Sequence, residues 1–310
     1  MNSEPVSRQD AERERERAEQ FEREHARSLR ALAYRMLGSR AEAEDMVQEA
    51  WLRWAEVDAT QVQHAGAYLS RLTTNLCLDK LRSAAQQREH YVGTWLPEPL
   101  VDEAMDWSPS PEVGAEFAQD VSVAFMLALE RLSPLERAAF LLHDVFDLNF
   151  EEVGERLQRS AAACRQLASR ARNHVRADHA RVEVKHEEGE RLRQSFVSAL
   201  LSGNVEGLAQ LLSEEALLLT DGGGRATAVP YPLHGGLRIA RALVGFARGF
   251  DPSLMSFRPA QVNGLPGYVI ELNDGSVLQT VALDIGPDLK CSAIYIVRNP
   301  DKLTHLRRKR

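Results

Sequence analysis

Cysteine is nearly absent from this chain. Cys77, Cys164 and Cys291 stand far apart among 310 residues, with no CxxC pair and no Cys/His cluster. That spacing excludes a disulfide scaffold and a zinc site and fits a reducing compartment. Long apolar runs are missing too. Nothing approaches the ~18 residues of a membrane helix, and the N-terminus is read as carrying no signal-peptide core. Aromatics are only 6%, as in a helix-rich chain. Nor is there an excess of positive charge. Thirty-eight Lys and Arg against 45 Asp and Glu leave a net charge of -7. A protein that coats nucleic acid through bulk charge is thereby excluded, and any such contact needs a local patch. What is present, 44% hydrophobic and 27% charged residues, is the composition of a soluble globular protein. Its length suggests two or three domains, and its expected place is the cytoplasm.

One local basic patch exists. Ser160 to Arg181 holds five Arg and a single acid, Asp178. Cys164, Leu167, Ala168, Ala171 and Val175 recur at spacings of three and four and make an apolar stripe. Arg165, Ser169, Arg172 and Arg176 share the opposite side. Ser160 suits an N-cap, and a short helix, Phe150 to Leu157, precedes it with Asn149 and Glu152 as a capping pair. Two helices, a tight turn and a basic outer face match a helix-turn-helix with a recognition helix. A solvated basic helix in a bundle reads the same way. Upstream, Ser133-Pro134-Leu135-Glu136 joins another N-cap, a first-turn Pro and a capping acid. Leu132, Leu135, Phe140, Leu141, Val145, Phe150, Val153 and Leu157 supply the expected core.

The N-terminal part is also helical in pattern. Residues 1–24, with ERERER, have little to bury and are expected to be a frayed helix or a disordered tail. Two helices follow, broken at Gly38-Ser39. Ala43, Met46, Val47, Ala50, Trp51 and Trp54 form the core stripe of the second, and Asp45, Gln48, Glu49 and Leu52 an exposed row. Such acids usually only face solvent, but the Leu among them hints at protein docking. After a polar loop, Asp58 to His64, comes a helix with Leu69, Leu72 and Leu76 on one side and Arg71, Asn75 and Arg82 on another. Arg with Asn can pair with phosphates and base edges, although a plain polar face is the alternative.

A Pro-rich, acidic linker runs from Ala84 to Val113. Trp95-Leu96-Pro97-Glu98-Pro99-Leu100 is extended, and its apolar residues are expected to dock, on a partner or on their own domain. Asp102, Glu103, Asp106, Pro109 and Pro111 follow. After a polar joint at 182–187 the pattern changes. Helices are expected over Gly189–Leu201, over a short stretch ending near Leu212, and over Gly236–Phe246. Strands are expected over Ala216–Thr220, Ala226–Val229, Leu254–Val262, Tyr268–Leu272, Val277–Asp284 and Cys291–Val297, with Asn273-Asp274-Gly275 as a turn. This order suggests an α+β domain with a curved antiparallel sheet.

YRMLGSRAEAEDMVQEAWLRW with AYLSRLTTNLCLDKLRS resembles region 2 of bacterial sigma factors of the extracytoplasmic-function type. ALERLSPLERAAFLLHDVFDLNFEEVGERLQRSAAACRQLASRAR resembles their region 4. The C-terminal third is similar to the SnoaL-like cone fold. WLPEPL, DGGGR at Asp221–Arg225 and NPDKL at Asn299–Leu303 jointly resemble the sigma-factor group with such a domain fused. Arg225 stands where Lys is as readily expected. The resemblance implies a multidomain fold: two all-α sigma domains, then an α+β SnoaL-like cone domain. The implied organisation is a charged tail at 1–24, region 2 at 25–88, a linker at 89–117, region 4 at 118–181, the SnoaL-like domain at 188–300 and a basic tail at 301–310.

The same resemblance implies the roles. Asp45, Gln48, Glu49 and Leu52 face the β′ clamp of core RNA polymerase, whose β flap is a second contact. Arg71, Asn75, Asp79 and Arg82, with the loop Asp58 to His64, read and melt the minus-ten element. Ser160, Arg165, Gln166, Ser169 and Arg170 read the minus-thirty-five element, and Arg172 and Arg176 hold phosphates. Trp95, Leu96, Pro97, Asp221, Gly222, Gly223, Gly224, Arg225, Asn299, Pro300, Asp301 and Lys302 are regulatory interdomain residues. No catalysis, cofactor, metal or membrane contact is expected, and no separate anti-sigma factor. An unidentified small ligand in the SnoaL-like pocket stays open, as does the weaker reading of Asp221, Tyr231 and His234 as a catalytic set. A ligand-sensing helix-turn-helix regulator that acts without polymerase is the alternative for the whole chain.

Overall fold

The computed structural model describes residues 8–88, 91–102, 121–178 and 186–307. The described residues form two compact units, one from 8–86 and 128–177, the other from 91–102, 121–127 and 186–307. Most of the acidic linker beyond Asp102, the joint at 182–185 and the last three residues lie outside the described residues.

The first unit is all helix. It begins with α1, Arg8–Phe21, which runs through a π turn into α2, Arg27–Leu37. From Arg8 on, the expected tail is a docked helix. Arg17 donates to Ala55 O at 3.2 Å, to Val57 O at 2.8 Å and to Trp54 O, and its guanidinium lies 4.8 Å from the Trp54 ring centre. Those carbonyls end α3, Arg40–Glu56, where a helix has acceptors without partners. Gly38, with φ 70°, closes α2, and Ser39 Oγ accepts from Glu42 N to open α3. The next helix, α4, spans Ala65–Arg88. It buries Leu69, Thr73, Thr74, Cys77, Leu78 and Leu81, while Leu72 and Leu76 are only half-buried. The core face is thus rotated from the one the leucines suggest. Thr74 fits it because its hydroxyl donates to Ser70 O at 2.7 Å.

Among the described residues four more α-helices follow: α5, Val123–Glu130; α6, Pro134–Phe140; α7, Phe150–Leu157; and α8, Ala161–Asp178. The boundary between the units falls within α5. Both capping boxes form, Ser133 with Glu136 and Asn149 with Glu152. Leu132, Phe140, Leu141, Val153 and Leu157 are buried as expected, whereas Leu135, Val145 and Phe150 are half-buried. Gln158 at φ 54° ends α7, and a Cβ on Gly154 would meet Arg159 O at 2.7 Å, so the tight turn into α8 requires glycine there. Buried Arg137 ties the two halves of the unit, donating to Met36 O of α2 at 2.5 Å and to Glu130 at 2.8 Å.

The second unit is α+β. Its helices are α9, His186–Leu201; α10, Val205–Gln210; and α11, Gly236–Ala247. Its strands are β1, Leu212–Asp221; β2, Leu233–His234; β3, Met255–Val262; β4, Leu265–Leu272; β5, Val277–Ile285; and β6, Cys291–Val297. They form one sheet in the order β2-β1-β6-β5-β4-β3. Where an antiparallel sheet was expected, the sheet is mixed, because β1 and β6 run parallel. Ala226–Val229 is not a strand. Thr220 Oγ1 donates to Val229 O at 3.0 Å and accepts from Val229 N at 2.7 Å, so a side chain takes the place of a backbone ladder.

The sheet is buried on both faces, with the period of two that the pleat imposes. Leu218, Ile270, Val281, Leu283, Ile294 and Ile296 pack toward the helices. Leu219, Val269, Ala282, Ala293, Tyr295 and Val297 pack with Leu96, Val101, Val123 and Leu303. The WLPEPL segment therefore docks within the C-terminal unit.

Candidate functional site

Helix α8 presents the expected basic face. Ser160 Oγ accepts from Ala163 N at 3.2 Å and caps it. Cys164, Ala168, Ala171 and Val175 are buried, and Arg165, Gln166, Ser169 and Arg170 are exposed. Arg165 lies 5.1 Å from the Phe150 ring centre. Arg170 Nε donates to Glu136 at 2.7 Å and Arg172 Nε to Asp144 at 2.5 Å. Each of these bonds engages Nε. The Ser133 hydroxyl, then Arg170, hold the Glu136 carboxyl below its usual range. The side chain of Arg176 lies outside the described residues.

On α3, Asp45, Gln48 and Leu52 are exposed and Glu49 is half-exposed, paired with Arg53 at 2.7 Å. On α4, Arg71, Asp79 and Arg82 are exposed and Asn75 is half-buried, with Arg82 paired to Asp79 at 2.9 Å. Both rows are thus solvent faces of the bundle, as the spacing predicted.

The third group of residues converges on Asp221, which is fully buried at the end of β1. Its Oδ1 accepts from the Tyr91 hydroxyl at 2.6 Å and from Gly223 N at 3.0 Å. Its Oδ2 accepts from Leu96 N at 3.0 Å and from Lys302 Nζ at 2.8 Å. Lys302 also donates to Leu96 O at 2.5 Å and sits 4.5 Å from the Trp95 ring centre and 5.0 Å from that of Tyr91. Asn299 Nδ2 donates to the Tyr91 hydroxyl at 3.0 Å, and Arg225 pairs with Asp301 through both carboxylate oxygens. Burial, then the bond to Asp221, push the Tyr91 phenol well above its usual range. WLPEPL, DGGGR and NPDKL are thus one junction. A Cβ on Gly223, at φ 58°, would stand 2.2 Å from Asn299 Nδ2, and one on Gly222 would stand 2.1 Å from Ala226 O. The glycines are there for close approach as well as for the turn.

Three residues of this junction escaped the sequence reading: Tyr91, His305 and Asn263. His305 Nε2 meets Pro99 O at 3.0 Å. Asn263 is buried at φ 51°, donates Nδ2 to Val121 O at 2.8 Å, accepts at Oδ1 from Leu100 N at 3.2 Å and donates its own N to Leu100 O at 2.8 Å. It clamps both ends of the linker stretch. Its signal, Asn before Gly between two strands, reads as a hairpin turn and says nothing of the side chain's partners. Asp102 continues the edge, accepting from Gln261 N at 2.8 Å and Arg258 at 3.0 Å.

A separate cavity lies on the helical side of the sheet, lined by Phe196, Leu218, Leu243, Phe257, Val281 and Arg298 among others. Asp221, Tyr231 and His234 do not assemble around it. Asp221 belongs to the junction, and Tyr231 and His234 are exposed. The catalytic reading of these three is overturned.

Residues 22–87 match the family model of Sigma-70 region 2, and residues 122–175 that of Sigma-70, region 4. Two such regions in this order define an RNA polymerase sigma factor. Over 286 residues, 89% of this chain and 90% of the relative, the sequence is 38% identical to ECF RNA polymerase sigma factor SigJ of Mycobacterium tuberculosis. It is 27% identical to ECF RNA polymerase sigma factor SigG of the same organism, across 85% of this chain and 76% of the relative. The crystal structure of the Mycobacterium tuberculosis extracytoplasmic function sigma factor SigJ is similar to it with TM-score 0.70 and 32% identity, covering 90% of this chain and 95% of that one. The chain belongs to the ECF RNA polymerase sigma factors. It is a transcription initiation factor and not an enzyme, and an α+β domain follows its two sigma regions.

Proposed function

We propose that this sigma factor, acting in the cytoplasm, brings core RNA polymerase to its promoters through region 2 at 25–88 and region 4 at 118–181, and that its own C-terminal domain sets its activity. Asp45, Gln48, Glu49 and Leu52 meet the β′ clamp, and region 4 meets the β flap. Arg71, Asn75, Asp79 and Arg82 read and open the minus-ten element. Ser160, Arg165, Gln166, Ser169 and Arg170 read the minus-thirty-five element in the major groove, while Arg172 and Arg176 hold phosphates. The linker at 89–117 joins these readers, so a domain that grips it governs how far apart they reach. The observation that carries the regulatory reading is the bonding of Leu96 to Asp221 and Lys302. A fused regulator removes the need for a separate anti-sigma factor.

Promoter binding by the reconstituted holoenzyme tests the reading. Arg165→Ala is expected to weaken binding to the native minus-thirty-five sequence by about 1–3 kcal/mol and to a scrambled one much less. Equal losses on both would remove the base-reading role. The same gel shift without core polymerase should show little specific binding. A strong shift without core would favour the alternative of a ligand-sensing helix-turn-helix regulator.

A further inference from the structure

The cavity behind the sheet has one charged group at its wall, and among the described residues no carboxylate neutralises it. Several other arginines of this chain are paired with acids: Arg137 with Glu130, Arg193 with Glu190, and Arg258 with Asp102 and Glu271. Arg298, just past the end of β6, has none. One Nη donates to Thr227 O at 2.5 Å, and the guanidinium lies 5.6 Å from the Phe250 ring centre. Its Nε is shielded from solvent and bonded to no described atom. Burial holds its pKa below the usual arginine value. The rest of the wall is mainly aliphatic and aromatic, with Thr220 already committed to Val229.

The cavity measures about 120 Å³. An apolar cavity of ~150 Å³ lined by similar side chains stays dry and accepts one benzene ring. We propose that this cavity binds a small monocarboxylic acid, with an apolar part of about six to eight carbons inside and the carboxylate on Arg298. A single planar guanidinium matches one carboxylate, whereas a phosphate dianion would call for further cations. The position of Arg298 gives the ligand a route to the junction. Thr220 and Arg298 line the cavity, and the next residues, Asp221 and Asn299, hold the linker. Arg298 N itself donates to Asp221 O at 2.7 Å. The acid therefore pulls on the strand ends that grip WLPEPL. This second step rests on the regulatory reading given above; the binding does not.

Calorimetric titration of the full chain with octanoate, octan-1-ol and octylamine tests the binding. Octanoate is expected to bind at least about tenfold tighter than the alcohol, the margin of one charge-assisted pair, and octylamine no tighter than the alcohol. Arg298→Gln should bring octanoate down to the alcohol's affinity and leave the alcohol unchanged, which also shows that the cavity is intact. Arg298→Lys should keep a smaller preference for the acid and serves if the Gln variant unfolds. Equal binding of acid and alcohol by the natural chain, no binding of the acid, or a Lys variant without preference overturns the proposal. Run-off transcription by holoenzyme with and without octanoate then separates the two steps. A change seen with the natural chain and absent with Arg298→Gln supports the coupling. Binding with no change in transcript leaves the ligand class standing and removes the coupling.

Discussion

Asp221 shows how much one side chain can organise here. It has four donors, and two of them, the Tyr91 hydroxyl and Leu96 N, belong to a segment more than a hundred residues away in sequence. Removing the carboxylate would break the ion pair of Lys302, whose side chain is only 14% exposed. Asp221→Ala is expected to lower the stability of the C-terminal unit by about 3–5 kcal/mol in urea unfolding, the cost of orphaning one member of a buried pair. Cleavage by a protease near Trp95 should rise in parallel. Asp221→Asn keeps acceptor and size and should lose less. An Ala variant as stable as the natural chain, with its linker equally protected, would contradict the role given to this residue. The sequence marked Asp221, Asn299 and Lys302 through their motifs. It did not mark Tyr91 or Asn263, because a lone Tyr before a linker and an Asn in a turn have plain local uses and their partners come from distant chain.

At the scale of elements, the helices were the most legible feature and the sheet the least. Helix α7 begins and ends at the residues expected, because a capping box and a three- to four-residue period are local signals. Asn149→Ala should destabilise the first unit by about 1 kcal/mol in denaturant unfolding, while Asn149→Ser stays near the natural value. No difference between the two would mean that packing, not the cap, fixes this terminus. Leucine spacing misled on α4, where small Thr73 and Cys77 occupy the buried side. Five of the six strands were expected, β2 at Leu233–His234 was not, Ala226–Val229 was expected and is not a strand, and the parallel pairing of β1 with β6 was not foreseen. Pairing between strands some seventy residues apart leaves no trace in either strand's own pattern.

At the scale of the molecule, the linker belongs to the C-terminal unit in its bonding, although in sequence it reads as a spacer between two helical domains. Leu96 and Leu100 are fully buried there. A chain ending before residue 188 would return those side chains to water, at a cost near 1.5–3 kcal/mol for each leucine. Such a truncation is expected to be cut more readily near Trp95–Leu100. With core polymerase it should give a changed, not merely absent, transcript yield. Unchanged transcription and unchanged proteolysis would count against the regulatory reading.

The sequence by itself determined the helices with their caps, the basic outer face of α8, the exposed rows on α3 and α4, and the motifs of the junction. All of these are written within a few residues, through periodicity, capping and charge. Only the tertiary structure decided that WLPEPL lies on the far face of the C-terminal sheet and that Tyr91 and Asn263 complete its grip. It alone set Arg298 in an apolar cavity without an acid. Those outcomes depend on which buried polar group meets which across the fold. A buried donor or acceptor must find a partner, but the chain does not say from where until it has folded.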